Sequence, residues 1–164
     1  MKGKELDIHI YNFLNGDSFE FDIIYEETKK FVYLSIYTYV KNQMAIDDLM
    51  QDTYMKAIDN LKSYKLGTNF YAWISIIARN TAINYYNKNK RIDLVEDYIE
   101  GENPNNDGLI SQALDVLEGL EKEVILYHIV LNMKFKEISN ILDKPLGTIY
   151  SIYKKAIHNI KHKL

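Results

Sequence analysis

Apolar residues recur at helical spacing along most of the chain, and the places where that rhythm breaks mark its joints. Phe21, Ile24, Tyr25, Thr28, Phe31, Val32, Ile36 and Tyr39 predict a first long helix over about residues 19–40, with Glu26, Glu27, Lys29 and Lys30 on its opposite face. Ile46, Leu49, Met50, Thr53, Tyr54, Ala57 and Leu61 predict a second. Its start carries Asp47 and Asp48, where the helix dipole favours negative charge. Residues 62–68 read as a loop containing Gly67. Thr68 or Asn69 is placed to cap a third helix, which carries Trp73, Ile76, Ile77, Asn80, Ile83 and Asn84 on one broad side and ends in the basic run 87–91.

Residues 92–111 break the rhythm with six acids, two glycines and Pro104, the composition of a linker. Helical spacing resumes with Leu114, Leu117, Leu120, Val124, Tyr127, His128 and Leu131. After a short break at 132–134 come Phe135, Ile138 and Ile141. Beyond Pro145, Ile149, Ile152, Tyr153, Ala156 and Ile160 complete a helix, short turn, helix pattern. No long alternating run competes for a strand. The expected fold class is therefore all-α: a helical domain over 1–92, an acidic linker over 93–111, and a second helical domain over 112–164 containing a helix-turn-helix.

Composition narrows the chemistry. The chain has no cysteine and only four scattered histidines, which excludes thiolate metal sites and thiol nucleophiles and predicts neither a metal nor a cofactor. No apolar run approaches the roughly 18 residues of a membrane span, and the first ten residues lack the apolar stretch of a secretory signal, so a cytoplasmic protein without membrane insertion is expected.

The net charge of −3 looks wrong for a nucleic-acid binder until it is sorted by position: residues 1–91 carry +1, 92–111 carry −6 and 112–164 carry +2. Residues 60–92 hold six basic residues and no acid, and residues 144–164 hold five and none. Two acid-free basic patches thus flank an acidic stretch.

Within those patches, particular residue types suggest particular contacts. With the isoleucines of the last helix turned inward, Thr148, Tyr150, Ser151, Lys154, Lys155 and His158 face outward, suited to base edges and phosphates in a major groove. A plain helical hairpin is the alternative. Residues 64–73 (YKLGTNFYAW), running into Arg79 and Asn80, place aromatics and amides on a loop and helix start, where unstacked bases can lie on ring faces and cations hold phosphates. Phe70 and Trp73 equally fit a packed core. Asn69, Arg79, Asn84, Lys88 and Arg91 are harder to explain in that way. Asp48, Gln51 and Asp52 share one helix surface at i, i+3 and i+4 spacing, suited to a basic protein partner. No candidate nucleophile or glycine-rich phosphate loop accompanies these acids, so no catalytic residue is assigned and the chain is not read as an enzyme.

Taken together, these residues resemble a known family, the short extracytoplasmic-function type of bacterial RNA polymerase sigma factor. Residues 48–57 (DLMQDTYMKA) resemble its polymerase-binding helix and residues 70–86 (FYAWISIIARNTAINYY) its promoter-melting helix. Residues 135–142 (FKEISNIL) with 146–151 (LGTIYS) resemble its carboxyl-terminal helix-turn-helix. The three segments stand in the family's order. The resemblance implies that Asp48, Gln51 and Asp52 face the polymerase clamp, and that Leu120, Val124 and Tyr127 support docking on the flap. It implies that Asn69, Phe70, Trp73, Arg79, Asn80, Asn84, Lys88 and Arg91 lie near the minus-10 element, and that Thr148, Tyr150, Ser151, Lys154 and Lys155 approach the minus-35 duplex. An anti-sigma protein is a further partner of the kind it allows.

The pattern departs from the family at Asp143, where glycine is usual in the turn, and at Ile152 and Ile157, where arginines usually sit. Losing two cations removes up to about two units of salt-dependence slope, so minus-35 binding is expected to lean on tethering to polymerase. The expected function is that of a promoter-specificity subunit that binds core polymerase and stabilises an opened minus-10 strand. A stand-alone helix-turn-helix regulator of duplex DNA, or a helical scaffold that binds only protein, are the competing readings.

Overall fold

The computed structural model describes residues 1, 3–89 and 108–164, and among these every regular element is a helix, with no strand. The chain divides into two compact units, Met1–Gly101 and Glu102–Leu164. Residues 90–107, which include Arg91 and most of the expected linker, lie outside the described residues.

In the first unit, α1 (Gly3–Leu14), α2 (Glu20–Tyr37), α3 (Gln43–Asp59) and α4 (Phe70–Asn89) pack around α2, which touches the other three. Ile24, Thr28, Val32 and Ile36 of α2 are buried, as its spacing predicts, and so is Leu34, which lies outside that spacing. A buried polar contact ties α2 to α3: the hydroxyls of Thr28 and Tyr54 lie 2.7 Å apart, and Thr28 also donates to the Ile24 carbonyl. Leaving such hydroxyls unpaired in a core would cost about 1–3 kcal/mol each. Asn42 caps α3 by accepting from the Ala45 amide at 3.1 Å, and Asn69 caps α4 by accepting from the Ala72 amide at 3.1 Å. Between α3 and α4 the chain makes a short 3-10 turn (Leu61–Ser63) and then a loop in which Gly67 takes φ +87°, a conformation that glycine adopts without steric cost. The sequence reading did not predict α1. Leu6 and Ile10 of that helix are buried and Phe13 is half-buried, an i, i+4, i+7 stripe that the reading overlooked, while Ile8 and Tyr11 lie exposed on the opposite side.

In the second unit, α5 (Gly108–Asp115), α6 (Leu120–Ile125, continued by a π-helical turn over Leu126–Val130), α7 (Phe135–Leu142) and α8 (Leu146–Lys163) enclose Leu114, Leu117, Val124, Leu126, Ile138 and Ile149. Residues 108–111, expected at the end of the linker, already form the first turn of α5, where Ser111 is buried. The spacing from Leu114 to Leu131 reads as unbroken, yet the chain turns at Gly119, φ +56°, ahead of α6. The turn between α7 and α8 closes through Asp143 in the left-handed region (φ 53°, ψ 50°), and Pro145 leads into α8. Aspartate tolerates that region better than most side-chain-bearing residues, so a helix-turn-helix forms here without the usual glycine.

Candidate nucleic-acid and polymerase interfaces

The loop before α4 is held from three directions. The Tyr64 ring packs on Phe70 (centroids 5.0 Å, 80°) and near Trp73 (5.6 Å), and Phe70 stacks on Trp73 (5.4 Å, 26°). The Tyr64 hydroxyl donates to Asp7 of α1 at 2.8 Å, and the Gly67 amide donates to the other oxygen of Asp7 at 2.7 Å. The Thr68 hydroxyl donates to the Lys65 carbonyl. Burial, and after it the bond to Asp7, pushes the Tyr64 phenol well above the ordinary tyrosine range, so it stays a donor at any physiological pH. What remains outward is Lys65, Leu66, Thr68 and Asn69.

This arrangement corrects one expectation. Phe70 is 2% exposed and belongs to the core of the first unit, so its ring offers no face to a base; the side chain that faces the loop interior is held there by Tyr64 and Trp73. Trp73 is half-buried, its ring shared between Tyr64, Phe70 and solvent. Asn69 uses its side-chain oxygen as a helix cap. Along α4, Asn80, Asn84 and Lys88 are exposed at intervals of four residues and so form one line, with Arg79 half-buried beside it.

On α3, Asp48, Gln51 and Asp52 are all exposed, and Asp52 pairs with Lys56 at 3.2 Å. The sequence reading missed the apolar part of this surface. Met44, Met55 and Ile58 are exposed, and a groove of about 600 Å³ opens beside them, lined by Phe21, Tyr25, Asp47, Met50, Gln51, Tyr54, Met55 and Ile58. A signal was available: Met55 and Ile58 are apolar but fall off the stripe that Ile46, Leu49, Thr53 and Ala57 define.

In the second unit, Thr148, Tyr150, Ser151, Lys154 and Lys155 are exposed on α8, as expected. Lys155 also lies 3.7 Å from Glu121 of α6, a carboxylate that is mostly buried and that Asn159 reaches at 3.1 Å. The expected flap contacts fare differently. Val124 is 0% and Tyr127 1% exposed, so both pack the core and present nothing to a partner, while Leu120 is half-buried. Their spacing marked a buried face, which periodicity alone does not distinguish from a docking face. Among the described residues no group of three or more His, Asp or Glu side chains could hold a metal ion, and no helix is long and apolar enough to cross a membrane.

Comparison with known proteins joins these surfaces. The model of sigma-70 region 2 matches residues 24–92, and that of sigma-70 region 4 matches residues 113–162. The ECF RNA polymerase sigma-E factor of Haemophilus influenzae is 27% identical over 140 residues, covering 73% of this chain and 74% of that one. The RNA polymerase sigma factor SigV of Bacillus subtilis is 26% identical over 142 residues, covering 83% and 86%. The fold is similar to that of the sigma factor RpoE solved with the anti-sigma factor NepR from Bartonella quintana (TM-score 0.69, 22% identity, 87% and 94% covered). It is also similar to CnrH solved with the cytosolic domain of CnrY (TM-score 0.65, 17% identity, 94% of each chain). With both conserved regions matched in order along one short helical chain, and curated relatives spanning the two, the chain belongs to the extracytoplasmic-function group of sigma-70 factors.

Proposed function

We propose that this sigma factor confers promoter specificity on core RNA polymerase, with each of its surfaces taking a separate part. The acidic and apolar face of α3, from Asp48, Gln51 and Asp52 to Met55 and Ile58, binds the polymerase clamp. The loop before α4 and the exposed line of Asn80, Asn84 and Lys88 hold the opened minus-10 strand, joined by Asn69, Arg79, Arg91 and the free edge of Trp73. Amides read base edges and cations hold phosphates, a division that strand capture requires. The outward residues Thr148, Tyr150, Ser151, Lys154 and Lys155 of α8 approach the minus-35 duplex. Flap docking falls to Leu120 and the exposed rim around it.

The domain plan that goes with this reading is 1–92, an acidic linker, and a carboxyl-terminal helix-turn-helix domain. The linker's six acids suit the polymerase's basic interior. Polymerase performs the chemistry, and the factor itself carries no catalytic residue. It works in the cytoplasm, where an anti-sigma protein is a further partner; the sigma factor RpoE, of similar fold, was solved with the anti-sigma factor NepR.

The observation that carries the proposal is the line of exposed amides on α4, within the matched region 2, which nothing in the packing of the unit requires. The test is strand opening and abortive initiation with purified bacterial core polymerase on A/T-rich genomic fragments. Replacing Asn80 and Asn84 together by alanine should lower opening by about tenfold or more, since each base contact is worth about 1–3 kcal/mol, while core binding stays unchanged. Full opening by the double variant would remove this face from the mechanism. A protein that shifts duplex DNA alone and never binds core polymerase would instead be a stand-alone regulator.

A further inference from the structure

We infer that Asp7, on a helix outside both matched regions, is a positioning residue for strand capture: its carboxylate holds the loop between α3 and α4 in its binding-ready shape. This rests on the reading of that loop as part of the minus-10 site. Both carboxylate oxygens are engaged, one by the Tyr64 hydroxyl at 2.8 Å and the other by the Gly67 amide at 2.7 Å, across sequence separations of 57 and 60 residues. The two bonds fall at the beginning and the apex of a short loop whose outward side chains are Lys65, Leu66, Thr68 and Asn69. One clamp thus fixes the segment from which those four residues project.

The clamp is well anchored at its other end. Leu6 and Ile10, on either side of Asp7, are both 0% exposed, so α1 is set into the core by apolar packing and does not depend on Asp7 for its place. Gly67 is exposed, and its amide would pass to water if the carboxylate were removed. The hydroxyl of Tyr64, a buried residue, keeps the Thr68 carbonyl as an acceptor at 3.3 Å, so losing Asp7 leaves little buried and unsatisfied, but it releases the Gly67 apex of the loop, which must then be ordered each time a strand binds. Pre-ordering a recognition loop raises affinity by removing that cost. The residue could not be singled out by any motif, because its partners are distant in sequence.

The experiment uses reconstituted holoenzyme and two fluorescein-labelled probes from one promoter selected with the wild-type factor: the non-template minus-10 strand alone, and the same fragment as closed duplex. Asp7→Ala should weaken single-strand binding by about tenfold and leave duplex and core binding within about twofold. Asp7→Asn keeps the shape and one good acceptor, and should lose less. Leu6→Ala, which disturbs α1 while keeping the carboxylate, should lower the melting temperature and leave the ratio of single-strand to duplex affinity at the wild-type value. Unchanged single-strand binding in both Asp7 variants, or a proportionate fall for both probes, would overturn the assignment. If wild-type holoenzyme itself showed no preference for the single strand, the capture reading would fall first and the role of Asp7 with it.

Discussion

Asn69 shows how one side chain can serve two ends. Its oxygen caps α4, and its place on the outward side of the loop puts the rest of the amide at the strand-capture site. Serine separates the two uses, because it caps nearly as well and lacks the amide. Asn69→Ser should keep thermal stability within about 0.5 kcal/mol of wild type, where Asn69→Ala loses about 1 kcal/mol, and both should lower promoter opening. If the serine variant opened promoters at the wild-type rate, Asn69 would be a cap alone. Tyr54 carries a different prediction. Burial raises its phenol above the ordinary value of 10.0, so the folded protein holds that proton more tightly than the unfolded chain does. The stability linked to it is complete below that ordinary value and is lost as the pH climbs through the higher folded one. Urea midpoints followed from neutral to strongly alkaline pH should fall only at the alkaline end, and less steeply in Tyr54→Phe. At this scale the sequence was a partial guide. Exposed polar positions such as Asp48 and Lys154 were placed correctly from periodicity, because a polar residue off an apolar stripe has few places to go, whereas Asn80, read on the same side as Trp73 and Ile77, is exposed because that side of α4 is not the buried one. The apolar ones were not: Phe70, Val124 and Tyr127 could be surface anchors or core, and only packing decides.

The elements were more legible than their joints. α2, α3 and α8 follow from apolar spacing, and α4 and α8 begin beside the cap and the proline that mark them, but the broad side of α4 read from Trp73 to Asn84 is half-exposed, and the buried face is that of Phe70, Ala72, Ile74, Ala78 and Ala82. α1 was overlooked although Leu6, Ile10 and Phe13 keep helical spacing, because exposed Ile8 and Tyr11 blur so short a stripe, and the turn at Gly119 escaped because leucines on both sides keep the same rhythm. Asp143 is the joint with a measurable cost. Left-handed backbone is worse for aspartate than for glycine, so Asp143→Gly should stabilise the second unit by about 0.5–1 kcal/mol, seen as a rise in its melting temperature. A fall would mean that the aspartate side chain contributes more to this turn than its backbone strain removes.

For the whole molecule, the division into two units has a direct spectroscopic handle. Trp73, the chain's one tryptophan, sits in the first unit, so its fluorescence reports on that unit while far-ultraviolet dichroism reports on both. Ile149→Ala, at a fully buried position of α8, should remove about 2–5 kcal/mol from the second unit and leave the Trp73 transition where it was. A matching shift of the Trp73 signal would show that the two units unfold as one.

The pairing of Lys155 with Glu121 bears on how such helices compare with one another. A lysine whose charge is already partly offset by a carboxylate neutralises less of a phosphate's charge, and so displaces fewer of the cations condensed on the duplex. A tally of lysines along α8 therefore overstates the pull this helix exerts on a duplex, by up to about one charge. Swapping the second unit between related factors would transfer that moderation with Glu121, whereas grafting α8 alone would leave it behind and yield a stickier, less discriminating protein.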